Sequence, residues 1–298
     1  MDDTTSAGEE MVQLERPKCA AMDDLMAQGT IPVLDKGMIR VVDYMGDDAA
    51  VAQAARTSYG TGTKTVNEDR GLIRYLMSHW HTTPFEMCEI KLHVKLPVFV
   101  ARQWVRHRTA NINEYSARYS VLDREFYFPE PEQIAAQSQS NAQGREEVFD
   151  RAQALDVRQW IMDHSELSYN LYSNQLDDGL ARELARMNLP LNIYTQWYWK
   201  VDVHNFMHFL RLRADPHAQY EIRVYAEALC EILKVWMPVT YEAFEDYRLN
   251  ALQLSSMEYD LVQQMIDNAG KVDPASESWT KLSKREKKAF EDRFQPIV

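Results

Sequence analysis

The stretch EIKLHVKL (89–96) alternates Ile90, Leu92, Val94 and Leu96 with Glu89, Lys91, His93 and Lys95. Side chains alternate across a strand, so this segment requires a sheet with one buried face and one polar face. The buried face needs a cover, and the rest of the chain offers mostly helices. IRVVDYM (39–45) and EFYFP (125–129) read as further strands. DDAAVAQAARTSYG (47–60), GLIRYLMSHW (71–80) and PVFVARQWVRH (97–107) read as helices, with GTGTKTVNEDR (60–70) as a loop. A long helix is expected over 146–176 and a shorter one over 179–188. Two more follow at 203–213 and 217–235, the second closed by Pro238. Only 10 glycines occur in 298 residues, which disfavours a fold built on many tight turns. With few strands and no βαβαβ rhythm, the chain reads as α+β and helix-dominated.

The ends differ from the middle. Residues 1–38 read as an N-terminal extension, partly flexible, opening on the acidic and polar MDDTTSAGEE. It carries no basic or apolar signal segment. Residues 130–145 are polar and low in complexity, as in a surface connection. From 249 to 298 the chain reads as a helical appendage, MEYDLVQQMIDNA and KLSKREKKAFEDRF flanking the loop GKVDPASES. The main domain is therefore 39–248. No run approaches the length of a membrane span, and the three cysteines, Cys19, Cys88 and Cys230, suit a reducing compartment. Together these point to the cytoplasm, with no membrane partner.

The net charge is −12. Such a chain is a poor general binder of nucleic acid, so any basic island is informative. One lies between residues 100 and 120, where Arg102, Arg106, Arg108 and Arg118 face the single acid Glu114. Guanidinium groups grip phosphate in a planar, two-pronged way. On a continuing helix Arg106 and Arg108 would face different partners. A solvated basic turn at a helix end is the plainer alternative. The following NINEYSARYS argues against it: Glu114, Ser116 and Arg118 alternate, so an extended backbone would put all three on one face. Two other stretches stand out. HTTPFE (81–86) places His81 beside Thr82 and Thr83. Residues 184–226 hold four Arg, three His and six Trp or Tyr, with His204 and His208 on one helix face.

These three stretches together resemble the flavin-dependent thymidylate synthases. RHRTANINEYS fits that family's signature of Arg-His-Arg, seven residues, then Ser. HTTPFE is similar to its upstream motif, and LPLNIYT and LRLRADPHAQYEIRVYA to its downstream segments. The likeness covers roughly residues 50–246. It implies a helix-rich single domain around a small, mostly antiparallel sheet, assembled as a homotetramer with shared active sites. It implies reductive methylation of dUMP to dTMP, with methylenetetrahydrofolate as carbon donor and FAD reduced by NADPH. Residue by residue, dUMP would be held by Gln103, Arg106, Glu114, Ser116 and Arg118, with Arg186 from a neighbouring subunit. Arg213 would sit at the uracil and activate it as the catalytic group. Ser58, His81 and Thr83 would border FAD. Arg106, His107, Arg108 and Glu114 would line its site, and Asp202, His204 and His208 occupy further flavin-contacting positions.

The sequence departs from that pattern in places. Met87 stands where the family often has His. Asp202 and His204 replace Asn and Arg, and an acid near a diphosphate is electrostatically adverse. No cysteine follows a proline, unlike the nucleophile of the flavin-free synthases. Two other classes stay open: a metal-dependent hydrolase using His204, His208 and His217, and an Arg-rich nucleic-acid-binding module. The hydrolase lacks the Glu directly after the first His that a metalloprotease motif needs, since Asn205 is there.

Overall fold

The computed structural model describes residues 18–57, 66–139, 144–267, 271–281 and 284–294. Two compact units divide the chain, one ending at Leu249 and one beginning at Asn250.

The first unit is built on a five-stranded antiparallel sheet. In chain order its early elements are α1 (Ala20–Gln28), β1 (Thr30–Val33), β2 (Gly37–Met45), α2 (Asp48–Thr57), α3 (Val66–Ser78) and α4 (Thr83–Glu86). Then come β3 (Glu89–Pro97), α5 (Val98–Trp104) and β4 (Asn111–Glu114). A small hairpin, β5 (Ala135–Gln137) with β6 (Arg145–Val148), precedes α6 (Arg151–Asp177) and α7 (Arg182–Ala185). Finally come β7 (Tyr194–Asp202), α8 (Val203–Arg213), α9 (Tyr220–Trp236) and α10 (Pro238–Phe244). The strand order is β1-β2-β3-β7-β4.

The alternating strand sits at the centre of this sheet. Ile90, Leu92, Val94 and Leu96 are all fully buried. Each such side chain stabilises the fold by roughly 1.5–3 kcal/mol relative to leaving it in water. Across the register, Leu92 faces Trp199 and Val94 faces Trp197. Trp104 of α5 closes edge-on against Trp199, with ring centroids 5.1 Å apart, and packs at a tilt on Phe209 of α8 at 4.4 Å. This aromatic cluster fixes the ends of α5 and α8 against one another, and both ends carry arginines.

Several elements depart from the sequence expectation. β7 was not anticipated. Its period of two is masked because the outward Tyr198 is aromatic, like the buried Trp197 and Trp199 on either side. EFYFP forms no strand, only an isolated bridge from Phe126 to Ile193. Within 1–38, α1 and β1 are regular, and Met22 is fully buried. Residues 66–70 belong to α3 rather than to the 60–70 loop. α6 begins at Arg151, not 146, because Asp150 caps it by accepting from the Gln153 N–H at 3.0 Å. In the second unit, α11 (Ser256–Asp267), α12 (Glu277–Lys281) and α13 (Lys284–Arg293) surround a small cluster centred on the buried Leu261 and Phe290. No helix among the described residues is long and apolar enough to cross a membrane.

Candidate active site

α5 stops at Trp104 rather than 107. That early stop matters for the arginines. In a continued helix Arg106 and Arg108 would lie about 200° apart around the axis. Outside the helix both line one cleft of about 750 Å³, together with His107, Asn205, His208 and Arg213. The expectation of different partners for the two arginines is therefore corrected. α8 supplies the far wall, ending in Arg213.

Arg213 is cross-braced. Its Nε donates to His107 Nε2 at 3.0 Å, and its Nη2 donates to the Gln103 carbonyl at 3.3 Å. Burial, the Arg213 charge and His208 hold the His107 pKa down, to about 4. His107 is therefore neutral at neutral pH and accepts at Nε2, which assigns its proton to Nδ1. Burial also lowers the Arg213 pKa, but a guanidinium stays charged in proteins. Gln103 is held in turn. It donates to Gln219, which donates to the buried Glu221 at 2.8 Å. Glu221 also accepts from Tyr127 at 3.2 Å and from Arg145 of β6 at 2.6 Å. A polar chain thus runs from the 135–148 hairpin to the arginine cleft.

Asp202 does a different job from lining the cleft. It is the N-cap of α8, accepting from the Asn205 N–H at 2.9 Å and from Asn205 Nδ2 at 2.8 Å. Asn205 is the residue that faces the cleft. In the sequence, Asp-x-x-Asn at a helix start is the signal for Asn205, which otherwise shows only as the absence of a metalloprotease Glu.

The segment after Arg108 behaves otherwise. β4 ends at Glu114, whose carboxylate accepts from the Thr195 hydroxyl at 2.8 Å. The chain then turns: the Ser116 carbonyl accepts from the N–H groups of Tyr119 and Ser120, both at 3.1 Å. Ser116 and Arg118 therefore do not share an extended face with Glu114, as alternation had suggested. Arg118 is exposed and meets Glu183 of α7 at 3.4 Å. Arg186 lies just beyond α7, exposed, in a short 3-10 turn.

A second, solvent-open pocket shares His208 with the cleft. His81 and His204 line it, with Trp80, Met207, Arg211 and Arg248. Thr83, at the start of α4, is exposed, and its neighbour Thr82 lines the cavity instead. Met87 is exposed. Ser58 lies outside the described residues.

The hydrolase reading required His217 beside His204 and His208. His217 bonds to Asp215 at 2.9 Å and is not among the residues lining either cavity. No group of three or more potential metal-ligating side chains occurs among the described residues. Cys88 and Cys230 are buried, and burial pushes both thiols up to about 12. Neither forms a nucleophilic thiolate near neutral pH.

Comparison with known proteins adds an independent line. The profile of the family described as thymidylate synthase complementing protein matches residues 40–239. A flavin-dependent thymidylate synthase from Ruegeria pomeroyi is 62% identical over 265 residues, 88% of this chain and 86% of that one. One from Rickettsia conorii is 54% identical over 288 residues, 91% of this chain and 97% of its own. That span reaches into the flanking segments that a likeness over 50–246 leaves aside. Among solved structures, the UMP/dUMP methylase PolB from Streptomyces cacaoi bound with 5-Br dUMP superposes with a TM-score of 0.66. It is 33% identical and covers 72% of this chain and 97% of its own.

Proposed function

This chain belongs to the thymidylate synthase complementing protein family, and we propose that it is a flavin-dependent thymidylate synthase that methylates dUMP to dTMP. The observation that carries the reading is the Arg213–His107–Gln103 brace at the wall of a cleft rich in guanidinium groups. A charged group held there favours the ionised form of a neighbouring uracil N3, because an adjacent positive charge lowers the pKa of an acid. Neutral His107 accepts a hydrogen bond from Arg213 Nε and the Gln103 carbonyl accepts one from Nη2, so the guanidinium is oriented before substrate arrives. Such preorganisation is the part of catalysis that the protein supplies.

The cleft also suits FAD. Arg106 and Arg108 concentrate positive charge in a chain of net −12, as a diphosphate demands. Arg106, His107 and Arg108 would hold the cofactor, with His81, His204 and His208 beside it and Asn205 as an added uncharged donor. Asp202 would act through Asn205. When bound and reduced by NADPH, FAD supplies the hydride that completes the methyl group, and methylenetetrahydrofolate supplies its carbon. Glu114, Ser116 and Arg118 would take the nucleotide, with Arg186 donated by another copy in a homotetramer.

The exposed residues of α6 favour self-association. Trp160, Leu167 and Leu171 are 68%, 59% and 52% exposed and fall within about 40° of one another around the helix. Met187 and Leu191 add exposed apolar surface beyond it. Exposed apolar side chains aligned on one helix face suit an interaction surface.

Titration of the protein with FAD tests the cofactor reading. Saturable binding at one FAD per chain is expected, weakened at least tenfold in Arg106→Ala and Arg108→Ala. A protein that takes up no FAD contradicts it.

A further inference from the structure

The end of α3 breaks a rule of helix termination. The His81 N–H bonds back to the Leu76 carbonyl at 3.0 Å and the Trp80 N–H to Met77 at 3.4 Å. This pair of bonds places a left-handed residue just past the helix, a position that normally goes to glycine. Here it is Trp80, at φ 61°. Only Leu34 among the other described non-glycine residues has positive φ. A bulky side chain in this conformation persists only where its surroundings hold it, and such outliers cluster at functional sites.

The holder is Arg248. Its guanidinium carbon lies 3.4 Å from the Trp80 ring centroid, and its Nη2 donates to the Met77 carbonyl. Arg248 belongs to a π-helical turn, Glu245–Leu249, itself a rare conformation frequent at functional sites. Two uncommon backbone features thus meet at one cation–π contact. Despite that contact Trp80 remains 54% exposed. It walls the cavity that holds His81, His204 and His208, and Arg211 lines the same cavity. Burial and the Arg211 charge lower the Arg248 pKa, so the two cations act on each other. Apolar walls from Met207 and Phe244 complete a slot with aromatic, apolar and cationic surfaces.

We propose that Trp80 is a ring-stacking residue for a heteroaromatic ligand carrying an anionic chain, with Arg248 its positioning residue and Arg211 meeting the anion. The inference rests on the synthase reading, in which two ligands share that chemistry: FAD and the folate. An exposed indole held at a fixed angle offers a flat, electron-rich surface, and a neighbouring guanidinium offers charge to a phosphate or carboxylate.

The test uses full-length protein and four variants: Trp80→Ala, Trp80→Phe, Trp80→Gly and Arg248→Ala. Three quantities are read: the FAD dissociation constant, the KM for methylenetetrahydrofolate, and the fluorescence of bound flavin. Trp80→Ala is expected to raise one of the two constants about tenfold, in line with ring-stacking energies. Trp80→Phe restores most of the loss. Trp80→Gly removes the strained side chain, so it folds at least as stably as wild type while still losing ligand. Arg248→Ala moves the same constant in the same direction by a smaller factor. A weaker FAD complex with brighter flavin fluorescence identifies the flavin, and a raised folate KM alone identifies the pterin. If wild type binds FAD and makes dTMP while Trp80→Ala and Trp80→Gly shift neither constant beyond twofold, the inference is overturned and the synthase reading survives. If wild type does neither, both fall.

Discussion

The arginine cleft and the segment from Glu114 to Arg118 carry the same kind of chemistry but are built in opposite ways. In the cleft, Arg213 is braced by His107 and Gln103, and Gln103 is tied through Gln219 to the buried Glu221. In the other segment the Arg118 side chain is exposed and, among the described residues, meets the equally exposed Glu183 at 3.4 Å and the ring of Tyr119 at 5.9 Å. Exposed pairs of that kind contribute about 0–1 kcal/mol. One region is finished by its own fold. The other presents charge to solvent, as a site does when a substrate phosphate or another copy completes it. The difference separates groups whose removal damages chemistry or cofactor binding from groups whose removal damages substrate binding.

The largest effect should come from the finished region. Arg213→Ala should lower kcat by 100-fold or more, the scale seen when a preorganised charge is removed, while FAD stays bound. Steady-state assay of dTMP with a flavin absorbance scan checks both halves. Near-normal turnover would remove Arg213 from ring activation. Next, Arg118→Ala and Ser116→Ala should raise the KM for dUMP by about 10- to 100-fold, each having lost a hydrogen bond to a charged group worth about 1.5–3 kcal/mol. Because both sites are built on surface groups, the melting temperature should move little. A large drop in Tm would mean that the open segment is structural after all.

Charge on the apolar face of α6 probes the same contrast from outside. Trp160→Asp with Leu167→Asp should shift the assembly to smaller species by light scattering and raise the KM for dUMP. FAD binding by the cleft should suffer less. A smaller effect concerns pH. The His107 pKa is held near 4, below its ordinary 6.5, so the neutral ring favours the fold at pH values above 6.5. That contribution is lost as the pH falls from about 6.5 towards 4, because the unfolded chain then binds the proton more readily. Denaturation midpoints of wild type and His107→Gln should converge across that window. Parallel curves would dissociate His107 from the stability of the cleft. Smallest of all, His217→Ala should change turnover by less than twofold, since His217 is exposed to solvent beside Asp215 and lines neither pocket.

How much of this was legible in the sequence depends on the residue. Ile90 to Leu96 announced the central strand because polar residues separated them. Trp197 and Trp199 hid β7 because Tyr198 between them is aromatic too. Arg106, His107 and Arg108 were legible as a charge contrast in an acidic chain, but their shared orientation was not, since it depends on α5 ending at Trp104. Glu114, Ser116 and Arg118 were read as a strand because their turn contains no Gly or Pro. It is closed instead by backbone N–H groups on the Ser116 carbonyl, and composition does not record that. Trp80 was invisible for a related reason: its meaning lies in a backbone angle and in a partner, Arg248, more than 160 residues away.

In the proposed reading the cleft activates dUMP for methylation with flavin at hand. The direct measurement is conversion of dUMP to dTMP by the FAD-loaded protein with NADPH and methylenetetrahydrofolate. A yellow protein is expected, one that forms dTMP and stops when the flavin is stripped. A colourless protein that takes up no FAD and yields no dTMP would contradict it.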